Sequence, residues 1–143
     1  MRFHTNLPVS GIASTARFYS TLFDTDPVKQ KNDYVKFLPP SVGLNLSFHQ
    51  NAAGVAKFKE LHLGLELPDQ ASLGRAHERL KAAGLVSAEK DTNVCCYAHQ
   101  DKFWATDPDG YEWEFYVLLE DTELKIDAKA KARGASGSST GCC

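Results

Sequence analysis

The chain has 143 residues, a formal net charge of -2 at pH 7 and 43% hydrophobic residues. This length is typical of one domain with a hydrophobic core of its own. Because the basic residues form no stripe, and no segment approaches the roughly 20 apolar residues that span a bilayer, we expect neither nucleic acid nor a membrane as a partner.

The amino-terminal half predicts a strand, a helix and further strands. Residues 3–7 alternate between apolar and polar side chains, which is typical of a half-buried strand. Ser10 is a suitable N-cap for an amphipathic helix over residues 11–23. Short strands are then predicted near residues 34–38 and 42–49.

The same order of elements begins again in the second half. Residues 61–67 show the clearest alternation in the chain, with leucines on one face and His62, Gly64 and Glu66 on the other. A second helix is predicted from about Asp69. Further strands are predicted around Val86, around Tyr97, over residues 103–106 and over residues 111–118.

A tight turn joins the last two predicted strands. The segment Asp107-Pro108-Asp109-Gly110 has Pro second and Gly fourth, as a type I turn prefers. The chain is therefore interpreted as two modules, over about residues 3–50 and 60–118, within a single domain of residues 1–120. Residues 121–143 are predicted to be a flexible tail, because a composition mostly of Ala, Lys, Gly and Ser buries too little apolar surface to offset ordering.

The four cysteines occur as two adjacent pairs, Cys95-Cys96 and Cys142-Cys143. A disulfide framework would have dispersed cysteines, so the pattern favours a reducing compartment, and without an apolar signal peptide we expect the cytoplasm. A single Cys is most often a small buried hydrophobe. Two adjacent thiols can serve one soft ion only where the backbone is irregular, and Asp91, Thr92 and Asn93 indicate a loop there.

Superposing the two modules predicts a metal site. His4 and His62 take corresponding positions in the two first strands, and aligning the last strands on their leading glycines matches Ser47 with Glu114. A cup shared by both sheets would then hold two imidazoles, one carboxylate and a hydroxyl, which is a poor ligand. This set suits non-haem Fe(II), although Zn²⁺ accepts the same ligand types. The runner-up ligands are Glu112 and His49, and Glu66 is the next candidate.

Other conspicuous residues of the second module have simpler interpretations. A single His or carboxylate on a polar strand face is usually a surface residue, and only the placement of the three by the repeat favours metal binding. Lys102 is predicted to be a solvated strand charge. The aromatic residues are predicted to pack the sheets, although one that lines the cup could also enclose a substrate; they are Tyr97, Phe103, Trp104 and Trp113.

These residues together resemble a known superfamily. The duplicated modules, His62 in a Leu-His-Leu-Gly strand, and the Asp107–Gly110 turn before Trp113-Glu114 are similar to the vicinal oxygen chelate superfamily, which includes glyoxalase I and extradiol dioxygenases. More narrowly, Cys95-Cys96-Tyr97 followed by Asp101-Lys102-Phe103-Trp104 resembles the organoarsenical carbon-arsenic lyases and the related cadmium-induced proteins.

The resemblance implies an α+β fold of two βαβββ modules that form an open, barrel-like cup. It implies an Fe(II)- and dioxygen-dependent lyase that demethylates trivalent methylarsenicals to arsenite, with aryl arsenicals as a further substrate class. The iron ligands would be His4, His62 and Glu114, and the thiolates of Cys95 and Cys96 would bind arsenic. Some members carry Gln where this chain has His4, and a homodimer is a further expectation.

Three alternatives stay open at this point. A glyoxalase-like isomerase or thiol transferase would use the same cup but would favour a fourth protein ligand, which Ser47 does not supply. A non-enzymatic arsenic- or cadmium-binding protein would need only the thiols. An extradiol dioxygenase would share the metal ligands but has no use for adjacent cysteines. The tail thiols Cys142 and Cys143 would either capture and transfer substrate or have no part in turnover.

Overall fold

The computed structural model describes residues 1–51, 61–95 and 98–121, and at residues 93–95 only the backbone. The predictions for the thiols of Cys95 and Cys96, for Tyr97 and for the tail beyond Asp121 therefore lie outside what the structure describes. The elements are β1 (Phe3–Val9), α1 (Ile12–Phe23), β2 (Lys29–Gln30), β3 (Tyr34–Phe37), β4 (Leu44–Gln50), β5 (His62–Glu66), α2 (Gln70–Ala82), β6 (Val86–Cys95), β7 (Ala98–Thr106) and β8 (Glu112–Asp121).

The strands form two separate four-stranded sheets, ordered β1-β4-β3-β2 and β5-β8-β7-β6. In each sheet the first strand of the module runs parallel to the last strand, and the other neighbours are antiparallel. One helix accompanies each sheet, and the sheets do not close on each other. The predicted α+β fold of two βαβββ modules with an open cup is confirmed.

The ladders between the first and last strands share one register. Two residues after the predicted histidine of each first strand, Asn6 pairs with Ser47 and Gly64 pairs with Glu114. Because side chains alternate along a strand, positions with the same register in the two sheets point to equivalent faces of their sheets. Ser47 and Glu114 therefore do occupy corresponding positions, as the superposition of the modules predicted.

Helix α1 begins one residue later than the sequence suggests. Its N-cap position is Gly11, which has no side-chain cap. The backbone N–H of Ser10 instead donates to both carboxylate oxygens of Asp109, at 3.0 and 3.1 Å. The prediction that Ser10 caps the helix is wrong, because the N-cap position is Gly11 and Ser10 lies one residue before it.

A buried hydrogen-bond chain joins the two modules. The Tyr19 hydroxyl of α1 donates to Asp107 Oδ2 at 3.0 Å and accepts from Trp113 Nε1 at 3.0 Å. Burial, and then the charge of Asp107, raises the pKa of Tyr19 well above its ordinary value, and burial also raises the pKa of Asp107. Trp113 stands next to Glu114 in β8. These hydrogen bonds therefore help to fix the strand that carries the predicted carboxylate ligand.

Replacing Tyr19 by Phe should lower the free energy of unfolding by about 2 kcal/mol, because a buried indole N–H and a buried carboxylate oxygen each lose a partner. Denaturant unfolding followed by fluorescence measures the change. Tyr34→Phe is the matched control, since Tyr34 lies half-buried on β3 of the first sheet. Equal stabilities for the two variants would contradict the expectation.

The turn before β8 is formed as predicted. The Gly110 N–H donates to the Asp107 carbonyl at 3.0 Å, and Gly110 has a φ of 91°, which favours glycine. Asp107 Oδ1 accepts from the backbone N–H groups of Asp109 at 2.9 Å and Tyr111 at 2.8 Å. The side chain of Asp107 thus holds the turn from inside, which sets where β8 begins.

The second helix starts where the sequence predicts, but the following strand β6 contains residues that were predicted to form a loop. Asp69 caps α2 by accepting from the Ser72 N–H at 2.7 Å, and this hydrogen bond lowers the pKa of Asp69. The loop predicted at Asp91–Asn93 is wrong, because these residues lie within β6 and pair with β7; the register shifts fall earlier, before Asp91. Neither helix described here is long and apolar enough to cross a membrane.

Candidate metal centre

A cavity of about 510 Å³ opens on the face of the second sheet that points away from the core. The alternation predicted for residues 61–67 explains it. His62, Gly64 and Glu66 line the cavity, while Leu63 and Leu65 pack against the core on the opposite face. Alternate residues of β7 and β8 complete the lining, so this cavity belongs to the second module.

Two of the predicted metal ligands meet in this cavity. His62 Nε2 lies 3.7 Å from Glu114 Oε2, and Glu114 is only 8% exposed. Two ligand atoms that each lie about 2.0–2.2 Å from one zinc-like ion can be at most about 4.4 Å apart. The imidazole and the carboxylate oxygen therefore fit one divalent ion with little movement, and their donor types suit iron or zinc.

The other oxygen of Glu114 faces a buried lysine. Lys102 Nζ lies 2.8 Å from Glu114 Oε1, and Gln100 Nε2 lies 3.4 Å from the same atom. Lys102 is only 5% exposed, so the prediction of a solvated strand charge is wrong. The alternation of β7 was the signal for its true place, because the buried Phe103 fixes one face of the strand and leaves Lys102 on the cavity face.

An aromatic ring and a missing side chain shape the space around the two ligands. The rings of Trp104 and His62 lie 5.3 Å apart in an edge-to-face arrangement, so Trp104 flanks the imidazole. Gly64 stands opposite Glu114, and a Cβ atom built there would lie 3.7 Å from the Glu114 Cβ. Glycine therefore keeps open the space that any larger side chain would occupy beside the carboxylate.

Replacing Gly64 by Val should lower metal binding in the cavity by about tenfold or more, because the added isopropyl group fills the space beside Glu114. The fold should persist, since β-branched residues suit strands. Metal analysis and a thermal melt measure these two quantities. Gly64→Ala is the matched control, because its single Cβ fits at ordinary contact distances. A Val variant with unchanged metal content would contradict the expectation.

A second polar pair occupies the same cavity. The Tyr116 hydroxyl donates to Glu66 Oε2 at 3.3 Å. Burial, and then the charge of Glu66, raises the pKa of Tyr116, so this phenol stays protonated at neutral pH. Tyr116 was not singled out from the sequence. The runner-up ligand Glu66 lies in the cavity with one carboxylate oxygen engaged by this hydroxyl.

The remaining predicted ligands lie elsewhere. His4 is exposed on the first sheet, with its Nδ1 2.9 Å from the Asn45 carbonyl, and it does not line the cavity. His49 is also on the first sheet, and Glu112 is exposed at the start of β8. In the part of the chain that the structure describes, no three His, Cys, Asp or Glu side chains lie close enough to hold one metal ion. The role of His4 stays a prediction.

The strand that carries the first thiol residue ends at the edge of the cavity. The backbone of Cys95 pairs with Ala98 of β7, and Ala98 lines the cavity. Closer to the body of the sheet, the Asp101 carboxylate accepts from Gln70 Nε2 at 2.6 Å and from the Thr92 hydroxyl. These bonds fix the β6–β7 pair to the start of α2, which holds the backbone before the thiols in place.

Comparison with known proteins agrees with this architecture. Residues 3–115 match the family described as the glyoxalase/bleomycin resistance protein/dioxygenase superfamily. A crystal structure of a glyoxalase/bleomycin resistance protein/dioxygenase from Alicyclobacillus acidocaldarius is similar with a TM-score of 0.69 at 17% identity, over 84% of this chain and 92% of that chain. At that identity the likeness concerns the fold alone.

Two curated relatives are more similar in sequence. The chain is 38% identical to the "Trivalent organoarsenical cleaving enzyme" of Thermomonospora curvata, over 96% of this chain and 95% of the relative. It is 32% identical to the "Cadmium-induced protein CadI" of Mycobacterium bovis, over 96% of this chain and 89% of the relative. Both similarities extend over nearly the whole chain.

Proposed function

The chain belongs to the glyoxalase/bleomycin resistance protein/dioxygenase superfamily, and on this premise we propose that it cleaves the carbon-arsenic bond of trivalent organoarsenicals. The observation that carries the proposal is the position of the cavity. It holds a His and a Glu side chain at metal-binding separation and borders the strand that ends at Cys95. Similarity to a named organoarsenical cleaving enzyme over 96% of the chain supports the same reaction.

The metal of the proposed enzyme is Fe(II), held by Nε2 of His62 and Oε2 of Glu114. Fe(II) with open coordination positions would supply the chemistry of dioxygen activation. We keep His4 as the proposed third ligand. Because His4 does not line this cavity in its own chain, it would reach the metal from a second copy of the chain, and we propose a homodimer. Sedimentation of wild-type protein and a count of metal ions in His4→Ala test this assignment.

The substrate of the proposed enzyme is a trivalent methylarsenical, with aryl arsenicals as a second class. Trivalent arsenic is soft and has two exchangeable positions, which the thiolates of Cys95 and Cys96 would fill. The remaining carbon-arsenic bond would then point to the metal. Such positioning can supply roughly 7–11 kcal/mol of a barrier. Free thiolates require a reducing compartment, so we place the reaction in the cytoplasm.

Arsenic speciation tests the proposed reaction. Purified protein, with and without Fe(II), is incubated with methylarsenite in air and under nitrogen, and the products are separated and measured by mass spectrometry. We expect arsenite only when both Fe(II) and dioxygen are present. Equal amounts of arsenite without dioxygen would contradict the iron-oxygen reaction. Unchanged methylarsenite in every sample would contradict the enzyme assignment.

The cadmium-induced relative is named for its induction and not for a reaction, so we keep a second candidate function, which is binding of arsenic or cadmium without turnover. A protein of this kind needs the thiols and has no use for the His and Glu of the cavity. The variant His62→Ala separates the two functions. If it protects cells against methylarsenite as well as the wild type does, the binding function is the correct one.

A further inference from the structure

The ion pair between Lys102 and Glu114 is unusual because both partners are buried. Lys102 is 5% exposed and Glu114 is 8% exposed, and their nearest atoms are 2.8 Å apart. Buried ion pairs contribute little net stability, because desolvation offsets the attraction between the charges. Stability therefore does not explain this pair, which lies on the wall of a cavity beside His62.

The two oxygens of the Glu114 carboxylate face different partners. Oε1 receives Lys102 and Gln100, whereas Oε2 faces the His62 imidazole. Lys102 has little freedom to leave, because its neighbour Phe103 is fully buried on the opposite face of β7 and its own ammonium group lies 5.6 Å from the Trp104 ring. One oxygen is thus occupied by a fixed positive charge, and the other is directed to the space beside the imidazole.

We propose that Lys102 is a positioning residue of the metal site, and that it acts as the internal counter-ion of the Glu114 carboxylate. It binds Oε1, so Glu114 offers a single oxygen to the metal, and its charge competes with the divalent cation for the carboxylate. The site is then preorganised in the metal-free protein and binds its cation less tightly than a bare carboxylate would. This inference rests on the proposed function, because it assumes that His62 and Glu114 hold the metal.

Metal titration of the full chain with Co²⁺, a spectroscopic probe that is stable in air, tests the inference. Lys102→Met should bind Co²⁺ about tenfold more tightly, because a nearby positive charge is gone. Its visible absorption should differ from that of the wild type, because Oε1, left with only the longer contact to Gln100, can then bind the metal. Lys102→Arg keeps the charge and should stay close to wild-type affinity. Lys36→Met, a half-buried lysine of β3, is the matched control and should change nothing.

The possible results separate this inference from the proposed function. If the wild type binds Co²⁺ through His62 and Lys102→Met binds Co²⁺ equally or more weakly, only the role of Lys102 is overturned. Loss of His62 without any loss of Co²⁺ binding would overturn the metal site itself. If metal-free Lys102→Met does not fold, Co²⁺ should restore folding, because the cation supplies the missing positive charge. A variant that stays unfolded with Co²⁺ would overturn the inference.

Discussion

Glu114→Gln should lose nearly all bound Fe(II), and its turnover should fall by about a thousandfold or more. The amide is a poor ligand for a hard divalent ion, so the variant removes one of two donors that converge in the cavity. It also leaves Lys102 buried without its carboxylate partner. Breaking a buried ion pair from one side costs about 3 kcal/mol, so the variant should also melt at a lower temperature.

Glu112→Gln is the matched control for this variant. Glu112 lies two positions earlier on the same strand, it has the same chemistry, and it is exposed at the start of β8. Metal content by mass spectrometry and melting temperature should be unchanged in Glu112→Gln and lowered in Glu114→Gln. If Glu112→Gln loses the metal while Glu114→Gln keeps it, the runner-up ligand is the true one and the proposed centre moves along the strand.

The repeat was the most informative part of the sequence. It predicted that His62 and Glu114 share one cup, and in the structure their strands β5 and β8 are paired neighbours. Strand alternation is a local property, so it could be seen in residues 61–67 without any knowledge of tertiary contacts. Equivalent positions in the two modules do not give the distance between the two histidines, however. His4 lies on the first sheet and does not line the cavity that contains His62.

Three details could not be predicted because they depend on distant partners. Ser10 is a residue type that often caps helices, but the N-cap position falls at Gly11 and the Ser10 N–H donates to Asp109, a residue far along the chain. Lysine is usually a surface residue, but the ammonium group of Lys102 lies in the cavity beside the Glu114 carboxylate. The polar segment Asp91–Asn93 resembles a loop, but pairing with β7 satisfies its backbone. In each case a tertiary contact overrides the local propensity of the residue.

Cys96→Ser and Cys95→Ser should each abolish tight binding of methylarsenite while the Fe(II) content stays that of the wild type. A hydroxyl is a hard, protonated group at neutral pH, whereas trivalent arsenic binds soft thiolates, so each variant would hold arsenic through one sulfur at most. Loss of the second attachment removes the advantage of effective concentration, which can exceed a hundredfold. Equilibrium dialysis with arsenic counting measures the affinity, and metal analysis measures iron in the same samples.

The tail offers the control for these variants, because Cys142 and Cys143 form an identical pair of adjacent thiols. A variant with Ser at both tail positions should bind methylarsenite and form arsenite at wild-type rates at saturating substrate. Slower turnover at low substrate alone would mean that the tail captures arsenic and passes it to Cys95 and Cys96. Retained affinity in Cys96→Ser together with lost affinity in the tail variant would reverse the two roles. The cavity would then lack the thiols that the proposed reaction requires.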